Sequence, residues 1–227
     1  TMTFTRDEES KLIEAIATLG RKITYNYNSD GRLTEVKDFT NRSIKFEYDS
    51  NGDLVSVTSP SITGTPNGND FPDGKTTKYT YSSGFDDEKL NHNLLTITAP
   101  NEVATGGSPR IINVYETDAN SYAYGRVITQ TYGETNASGI EAGGDIVYEY
   151  EELTSNPSST NESVNRVTVT DRNGNKTVYE HNKLGNAVSI KEYTKGLRDD
   201  EPEFFETSFE YNVDGERVKS TLPEGNF

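Results

Sequence analysis

The chain has 227 residues, of which only 31% are hydrophobic, and its formal net charge is −15. A field of this sign repels phosphate backbones and anionic lipid, which disfavours nucleic-acid binding and membrane-surface binding. The sequence contains no run of 18 apolar residues, which excludes a transmembrane helix. It also contains no cysteine, which excludes disulfides and thiol catalysis.

The first 20 residues fit two predictions. Leu12, Leu33 and Leu54 are each 21 residues apart. This register predicts that residues 4–17 are the second part of a leading repeat copy, made of strand. The apolar spacing of residues 11–19 would also suit a helix.

A repeated pattern of alternating residues begins at Ile23. Ile23, Tyr25 and Tyr27 are two residues apart, and the pattern recurs in six later segments. The last residue of each pattern, here called the anchor, gives the series Tyr27, Tyr48, Tyr81, Tyr115, Tyr150, His181 and Tyr211. Residues two apart share one face of a strand, so the pattern predicts strands with a buried aromatic face and a solvated polar face.

A turn and a second strand follow most anchors. Asn28-Ser29-Asp30-Gly31 and Asp49-Ser50-Asn51-Gly52 end in Asp-Gly or Asn-Gly, the pairs that suit tight turns between antiparallel strands. The predicted second strands include residues 33–36, 54–57 and 187–190. The copies therefore predict consecutive antiparallel β-hairpins.

Two features depart from the simple copy. Ile112 and Val114 occupy the face that is polar elsewhere, so we expect the strand at residues 111–115 to be covered on both sides. Insertions rich in Gly, Ser, Asn, Asp, Pro or Glu predict surface loops. They occupy residues 59–73, 82–93, 116–124, 134–142, 151–165 and 195–203.

The segment Tyr27-Asn28-Ser29-Asp30-Gly31-Arg32-Leu33 closely resembles the YD, or Rhs, repeat. The resemblance extends in register over nearly the whole chain. It implies a β-ribbon that coils into a hollow shell, in secreted or surface-displayed proteins of bacteria and in animal teneurins. In bacterial members the shell can enclose a toxic C-terminal domain. A self-cleaving core with an Asp-Pro-x-Gly stretch follows the repeats in the family, but this chain has no such stretch, so no catalytic residue is carried over.

The candidate chemistry in the sequence is sparse. His181 fills an anchor slot and is predicted to be a packing residue, whereas His92 lies in an insertion and is predicted to be a solvated loop residue. The loops that begin at Asp49 and Asp171 lack the Gly and Glu of a calcium loop, so turn chemistry accounts for them. Acidic clusters at residues 86–88 and 198–203 are the candidates for a hydrolase.

These observations predict an all-β array over residues 1–227, with about seven copies and a partial leading copy, forming a long curved ribbon or part of a β-shell. The expected function is a non-enzymatic scaffold segment of a longer secreted or cell-surface protein, with no catalytic, cofactor or metal residues. Its expected partners are the rest of its own chain, an enclosed toxin, protein or glycan, and a second copy through edge strands. A glycan- or protein-binding module that uses the insertions and aromatic rows is the alternative.

Overall fold

A computed structural model describes residues 1–133, 143–196, 198 and 200–225. The predicted insertion at residues 134–142 lies outside the described residues, and so does Asp199 of the second acidic cluster. The chain forms two compact units, an N-terminal unit Thr1–Arg110 and a C-terminal unit Ile111–Phe227.

The N-terminal unit consists of eight strands in chain order. They are β1 (Thr3–Arg6), β2 (Leu12–Ile16), β3 (Lys22–Tyr27), β4 (Leu33–Lys37), β5 (Ser43–Tyr48), β6 (Leu54–Thr58), β7 (Thr76–Tyr81) and β8 (Leu94–Thr98). Each strand pairs with the next in antiparallel orientation. A 3-10 turn at Glu88–Leu90 and the helix α1 (Pro100–Thr105) complete this unit.

The C-terminal unit repeats the same architecture with eight further strands. They are β9 (Ile111–Tyr115), β10 (Val127–Tyr132), β11 (Gly144–Glu152), β12 (Asn165–Thr170), β13 (Lys176–His181), β14 (Ala187–Tyr193), β15 (Phe204–Tyr211) and β16 (Arg217–Thr221). Consecutive strands again pair antiparallel. The predicted all-β fold of tandem antiparallel hairpins is confirmed.

The N-terminal segment is a hairpin of β1 and β2, so the alternative helix at residues 11–19 is wrong. This hairpin also holds both strands of a copy, rather than only the second part that the leucine spacing predicted. Arg6 pairs with Leu12 as Tyr27 pairs with Leu33, so Arg6 occupies the anchor slot of this leading copy. A slot filled by Arg carries no aromatic signal, which explains why the first strand was missed.

A β-bulge lies beside the anchor slot in seven of the eight hairpins in the described part of the chain. At β5 and β6, Glu47 pairs with Ser56 and Tyr48 pairs with Leu54, which leaves Val55 as the extra residue. A bulge bends its strand and increases the local twist. The extra residues are apolar except for one threonine: Ile13, Thr34, Val55, Leu95, Ile128, Val188 and Val218.

The aromatic face is only half-buried. Tyr25, Tyr27, Phe46 and Tyr48 are all intermediate in exposure, and Ile44 is 39% exposed. The expectation of a buried aromatic face is therefore wrong in degree. Each strand packs mainly on its sequence neighbours, with no second layer over the face within either unit as far as the described residues show.

The strand β9 is likewise open on its second face. Ile112 and Val114 are 37% and 47% exposed, whereas Asn113 between them is 8% exposed. The expectation that β9 is covered on both sides is wrong for the described residues. Asn113 is buried because its side chain joins a polar relay, in which Gln130 donates to Asn113 at 2.8 Å and accepts from the Tyr132 hydroxyl at 2.6 Å.

Helix is confined to short connections. Helix α1 begins at Pro100, which needs no N–H donor at a helix start, and ends at Gly106 with a φ of 70°. It lies between two copies, where no insertion was predicted. None of the helices in the described ranges is long and apolar enough to cross a membrane.

Candidate functional site: the anchor tyrosines

The turns after the anchors position the next strand through a side-chain acceptor. Asp49 Oδ1 accepts from the backbone N–H groups of Asn51 and Asp53, both at 2.9 Å, and Gly52 adopts a φ of 92°. This geometry is an Asx turn, for which Asp and Asn are preferred because their short side chains reach the backbone two residues on. The same acceptor stands after other anchor slots at Asp7, Asn28, Asn182 and Asn212, and in turns between hairpins at Asp38 and Asp171.

The two loops that resembled calcium sites are explained by these turns. Asp49 and Asp171 each direct a carboxylate oxygen at two backbone N–H groups of their own turn. Across the described residues, no group of three or more His, Cys, Asp or Glu side chains is placed to hold a metal ion.

Backbone pairing between neighbouring hairpins stops before the anchor is reached. Between β4 and β5, for example, pairing covers Glu35 with Lys45, Val36 with Ile44 and Lys37 with Ser43. Leu33 and Tyr48 lie beyond this ladder, at the end where the bulge bends the second strand of the hairpin. The two hairpins are therefore without backbone pairing at this end.

Hydrogen bonds from the anchor hydroxyls join neighbouring hairpins at that end. The Tyr48 hydroxyl donates to the carbonyl of Leu33, the first residue of β4, at 2.9 Å. Four other anchors do the same toward the first residue of the strand before them, at 2.9 to 3.0 Å: Tyr27 to Leu12, Tyr81 to Leu54, Tyr150 to Val127 and Tyr211 to Ala187. Each bond joins two hairpins that are neighbours in the chain.

The residue before the acceptor often places a cation over the same tyrosine ring. Lys11 lies 5.7 Å from the centroid of Tyr27, and Arg32 lies 5.9 Å from that of Tyr48. Arg126 lies 5.1 Å from the centroid of Tyr150. The ring quadrupole attracts a cation in this position, so these contacts reinforce the hydroxyl bond.

Burial favours the protonated form of two anchor hydroxyls. It raises the pKa of Tyr81 and of Tyr150 above the ordinary value of 10.0. A protonated hydroxyl is the donor that the carbonyl bond requires. The bonds made by Tyr81 and Tyr150 therefore persist throughout the neutral pH range.

The aromatic slot two residues before the anchor, here called the second slot, makes no such bond. The hydroxyls of Tyr25, Tyr79 and Tyr148 have no hydrogen-bond partner in the described part of the chain, and the same slot holds Phe46 and Phe209 in two other strands. The sequence thus accepts Phe, and in one strand Asn113, in a slot that needs no hydroxyl. It keeps Tyr in the slot whose hydroxyl is used.

His181 is the exception that fits the rule. The hairpin of β11 and β12 has no bulge, and backbone pairing of β12 with β13 continues as far as Asn165 with His181. No gap remains for a tyrosine hydroxyl to close. Instead His181 Nδ1 lies 3.0 Å from Asn165 Oδ1, and burial lowers the pKa of the imidazole, which keeps it neutral at neutral pH. The structure places His181 among the packing residues, as predicted.

His92 is not simply a solvated loop residue. It is 44% exposed, but its Nδ1 lies 2.9 Å from an Asp53 carboxylate oxygen and its Nε2 lies 3.3 Å from Glu88. The hydrogen bond and the charge of Asp53, with a smaller effect of Glu88, raise the pKa of His92 above 6.5. Asp53 stands before Leu54 where other copies carry Lys11 or Arg32, and in this copy its carboxylate is paired with His92.

The acidic clusters serve local structure. The Asp87 side chain accepts from the Lys89 backbone N–H and caps the 3-10 turn, and Glu88 contacts Asn91 and His92. In the second cluster, the carbonyl groups of Pro202 and Glu203 accept from the Thr194 hydroxyl. These contacts give the clusters a structural role without assigning them a reaction.

One insertion reaches beyond its neighbouring hairpin. Asn161, between β11 and β12, accepts from the Tyr211 backbone N–H at 2.7 Å and donates to the Tyr211 carbonyl at 3.1 Å. The side-chain amide thus imitates a backbone pairing partner. Since the hairpin of β13 and β14 lies between these two in the strand order, the insertion joins hairpins that are not neighbours in sequence.

The segment that begins at the first anchor tyrosine matches a known family model. The RHS repeat model matches residues 27–61. Residues 27–61 are thus similar to an RHS repeat. The resemblance seen in the sequence is confirmed over these residues, and the matched segment contains both partners of the bond between Tyr48 and Leu33.

Two solved structures are similar to the chain at low sequence identity. A crystal structure of TcdB2-TccC3 without its hypervariable C-terminal region is 11% identical, with a TM-score of 0.39, and the match covers 99% of this chain and 15% of that chain. A Tc holotoxin pore from Photorhabdus luminescens is 12% identical, with a TM-score of 0.28, over 99% of this chain and 14% of that one. The chain therefore spans a small part of either protein. A comparison with curated proteins gave no match.

Proposed function

We propose that the chain is a scaffold segment in the wall of a longer, secreted or cell-surface RHS-repeat protein. The observation that carries this proposal is the recurrent hydroxyl bond from an anchor tyrosine to the preceding hairpin. The chemistry that recurs from copy to copy joins one hairpin to the next. A catalytic or ligand-binding constellation would instead be unique to one place in the array.

The edges of the array support the proposed partners. Among the described residues β1 pairs only with β2, and β16 pairs only with β15. Edge strands present unpaired N–H and C=O groups that further strands can pair with. The partners that fit these edges are other hairpins of the same longer chain and, for the isolated segment, a second copy of it. The net charge of −15 opposes self-association of the isolated segment.

The finer proposal is that the complete ribbon encloses a toxin domain, as the RHS resemblance implies. The test uses the complete gene product and limited proteolysis of the polypeptide that follows the repeats. Protection of that polypeptide in the intact protein, and its rapid cleavage once the wall is opened by denaturant, would support enclosure. Cleavage at the rate of the separately produced domain would contradict it.

The segment itself is proposed to be non-enzymatic. Assays of the purified chain against glycans and peptides should show no hydrolysis above background. Hydrolysis that disappears on Asp86→Asn or Asp87→Asn would overturn this proposal. These substitutions are informative because they remove the acid while they keep the size of the side chain.

A further inference from the structure

One side-chain amide of the C-terminal unit is buried without an acceptor. Asn182, which follows the anchor His181, is 1% exposed, and its Nδ2 has no hydrogen-bond partner among the residues that the structure describes. Its Oδ1 accepts from the backbone N–H groups of Leu184 and Asn186, both at 3.0 Å. A flipped amide would turn the NH₂ group toward these two donors, so the orientation of the amide is fixed. The buried NH₂ donor therefore needs an acceptor from elsewhere.

The burial of Asn182 depends on the insertion between β11 and β12. The residues that play the same part after other anchor slots are half-buried or exposed: Asp7, Asn28, Asp49 and Asn212. The copy with Asn182 differs from these because residues 153–164 of the insertion, here called the strap, are attached on both sides of its turn. The Val164 N–H donates to the His181 carbonyl at 2.7 Å, directly before Asn182, and Asn161 holds the end of β15 in the next hairpin. The strap therefore covers this turn.

A second covered turn shows how the array satisfies such a group. Ser82 follows the anchor Tyr81 as Asn182 follows its own anchor, and it is 9% exposed. The Ser82 hydroxyl donates to the carbonyl of Leu90, in the insertion that covers it, at 2.5 Å. There the covering segment itself supplies the acceptor. At Asn182 no oxygen of the described residues, those of the strap included, bonds to Nδ2, so a link to the strap has to be indirect.

We propose that a buried water molecule under the strap accepts from Asn182 Nδ2 and fastens the strap over this turn. Buried waters occupy sites where a polar group lacks a protein partner, and each typically makes about three hydrogen bonds. The water has two donors of its own, which it directs to carbonyl oxygens of the strap, as Ser82 directs its hydroxyl to Leu90. A larger ligand is excluded because the group is closed to solvent. The site lies where His181 makes no tyrosine-type bond, and it does not depend on the scaffold function.

The test is a water-selective NMR experiment on the whole chain, in which NOE and ROE transfers from water to the side-chain NH₂ protons of asparagines are compared. For Asn182 we expect transfers with the opposite signs of a long-lived dipolar contact, whereas chemical exchange with water gives both transfers the same sign. Asn28 is the internal comparison, because its Oδ1 accepts in the same kind of turn but the residue is only half-buried. Its NH₂ protons should show only brief contacts or exchange.

Asn161→Ala detaches the strap from β15, so the long-lived transfer to Asn182 should fall at least about threefold as the water escapes through local opening. Asn156→Ala is the matched control, since Asn156 lies in the strap and bonds only within it, and it should leave the transfer unchanged. The proposal fails if Asn182 in the unmodified chain shows no long-lived transfer, or only what Asn28 shows. A transfer that persists in the Asn161 variant, or falls equally in the Asn156 variant, would also overturn it.

Discussion

The Tyr48 hydroxyl donates to the Leu33 carbonyl at 2.9 Å, although backbone pairing between β4 and β5 has stopped before these two residues. The bulge at Val55 lies beside the same anchor in its own hairpin, and the bulge at Thr34 lies beside Leu33 in the hairpin before. Bending of each hairpin thus opens a gap toward the next, and the tyrosine closes it. This relationship recurs in both units and accounts for a Tyr slot beside a slot that tolerates Phe.

The two histidines should titrate on opposite sides of the ordinary imidazole value. The chain contains only these two, so each gives an assignable NMR signal. The pKa of His92 is raised by Asp53, and the pKa of His181 is lowered by burial. Asp53→Asn should return His92 toward 6.5 and leave His181 unchanged. A His92 pKa that does not respond to this substitution would contradict the pairing.

The same pair has a consequence for stability. Because the folded-state pKa of His92 lies above its unfolded value, the stabilisation that the pair of His92 and Asp53 gives the folded chain is fully present below about pH 6.5. It is lost as pH rises through the folded-state pKa. The difference in unfolding free energy between the unmodified chain and His92→Asn should therefore shrink as pH is raised from 6 to 9.

The clasp formed by Asn161 should control exchange of one amide. Asn161→Ala removes the acceptor of the Tyr211 N–H, so the Tyr211 amide should exchange with solvent faster. Asn156→Ala is a suitable control, because Asn156 lies in the same insertion and bonds only within it. Unchanged protection of Tyr211 in the Asn161 variant would show that the contact is not formed in solution.

Gly52 should tolerate alanine less well than Gly174. Both have positive φ, 92° and 76°, which costs a residue with a Cβ about 1–2 kcal/mol. A Cβ at Gly52 would also meet the guanidinium of Arg32, which lies over Tyr48, whereas a Cβ at Gly174 meets open space. Denaturant unfolding should show the larger loss for Gly52→Ala. The additional loss of Gly52→Ala over Gly174→Ala should vanish in an Arg32→Ala background. If it persists there, the contact with Arg32 is not its cause.

The half-burial of the aromatic face sets the cost of removing a ring. Phe46→Ala should lower the free energy of unfolding by about 1.5–2.5 kcal/mol, less than for a fully buried aromatic. Glu47→Ala, on the opposite face of the same strand, should cost under about 0.5 kcal/mol. Equal losses in thermal or denaturant unfolding would mean that the two faces are assigned wrongly.

The sequence alone was sufficient for most strands and turns because both depend on local chemistry, but not for β1, whose anchor slot holds Arg6. Alternation placed Tyr25 and Tyr27 on one face, and Asp or Asn before Gly marked the turns. The sequence could not reveal what covers the aromatic face, because alternation indicates which side of the strand a residue prefers and not what packs against that side. The half-burial of Phe46 therefore needed the structure.

The anchor bond was within reach of the sequence but was missed. Tyr27 follows Leu12 by 15 residues and Tyr48 follows Leu33 by 15 residues, and Phe occurs in the second slot only. Together these signals indicate a hydroxyl with a partner in the preceding copy. The contact of His92 with Asp53 was not within reach, since the geometry of an insertion sets it across 39 residues.

The most direct measurement compares two triple variants by denaturant unfolding. One is Tyr27→Phe, Tyr81→Phe and Tyr150→Phe, and the other is Tyr25→Phe, Tyr79→Phe and Tyr148→Phe, taken from the same three strands. Each removes three hydroxyls and keeps every ring. If anchor hydroxyls join the hairpins, the first variant loses about 1 kcal/mol per hydroxyl, about 3 kcal/mol in all, and the second loses almost nothing. Equal losses in the two variants would contradict the account.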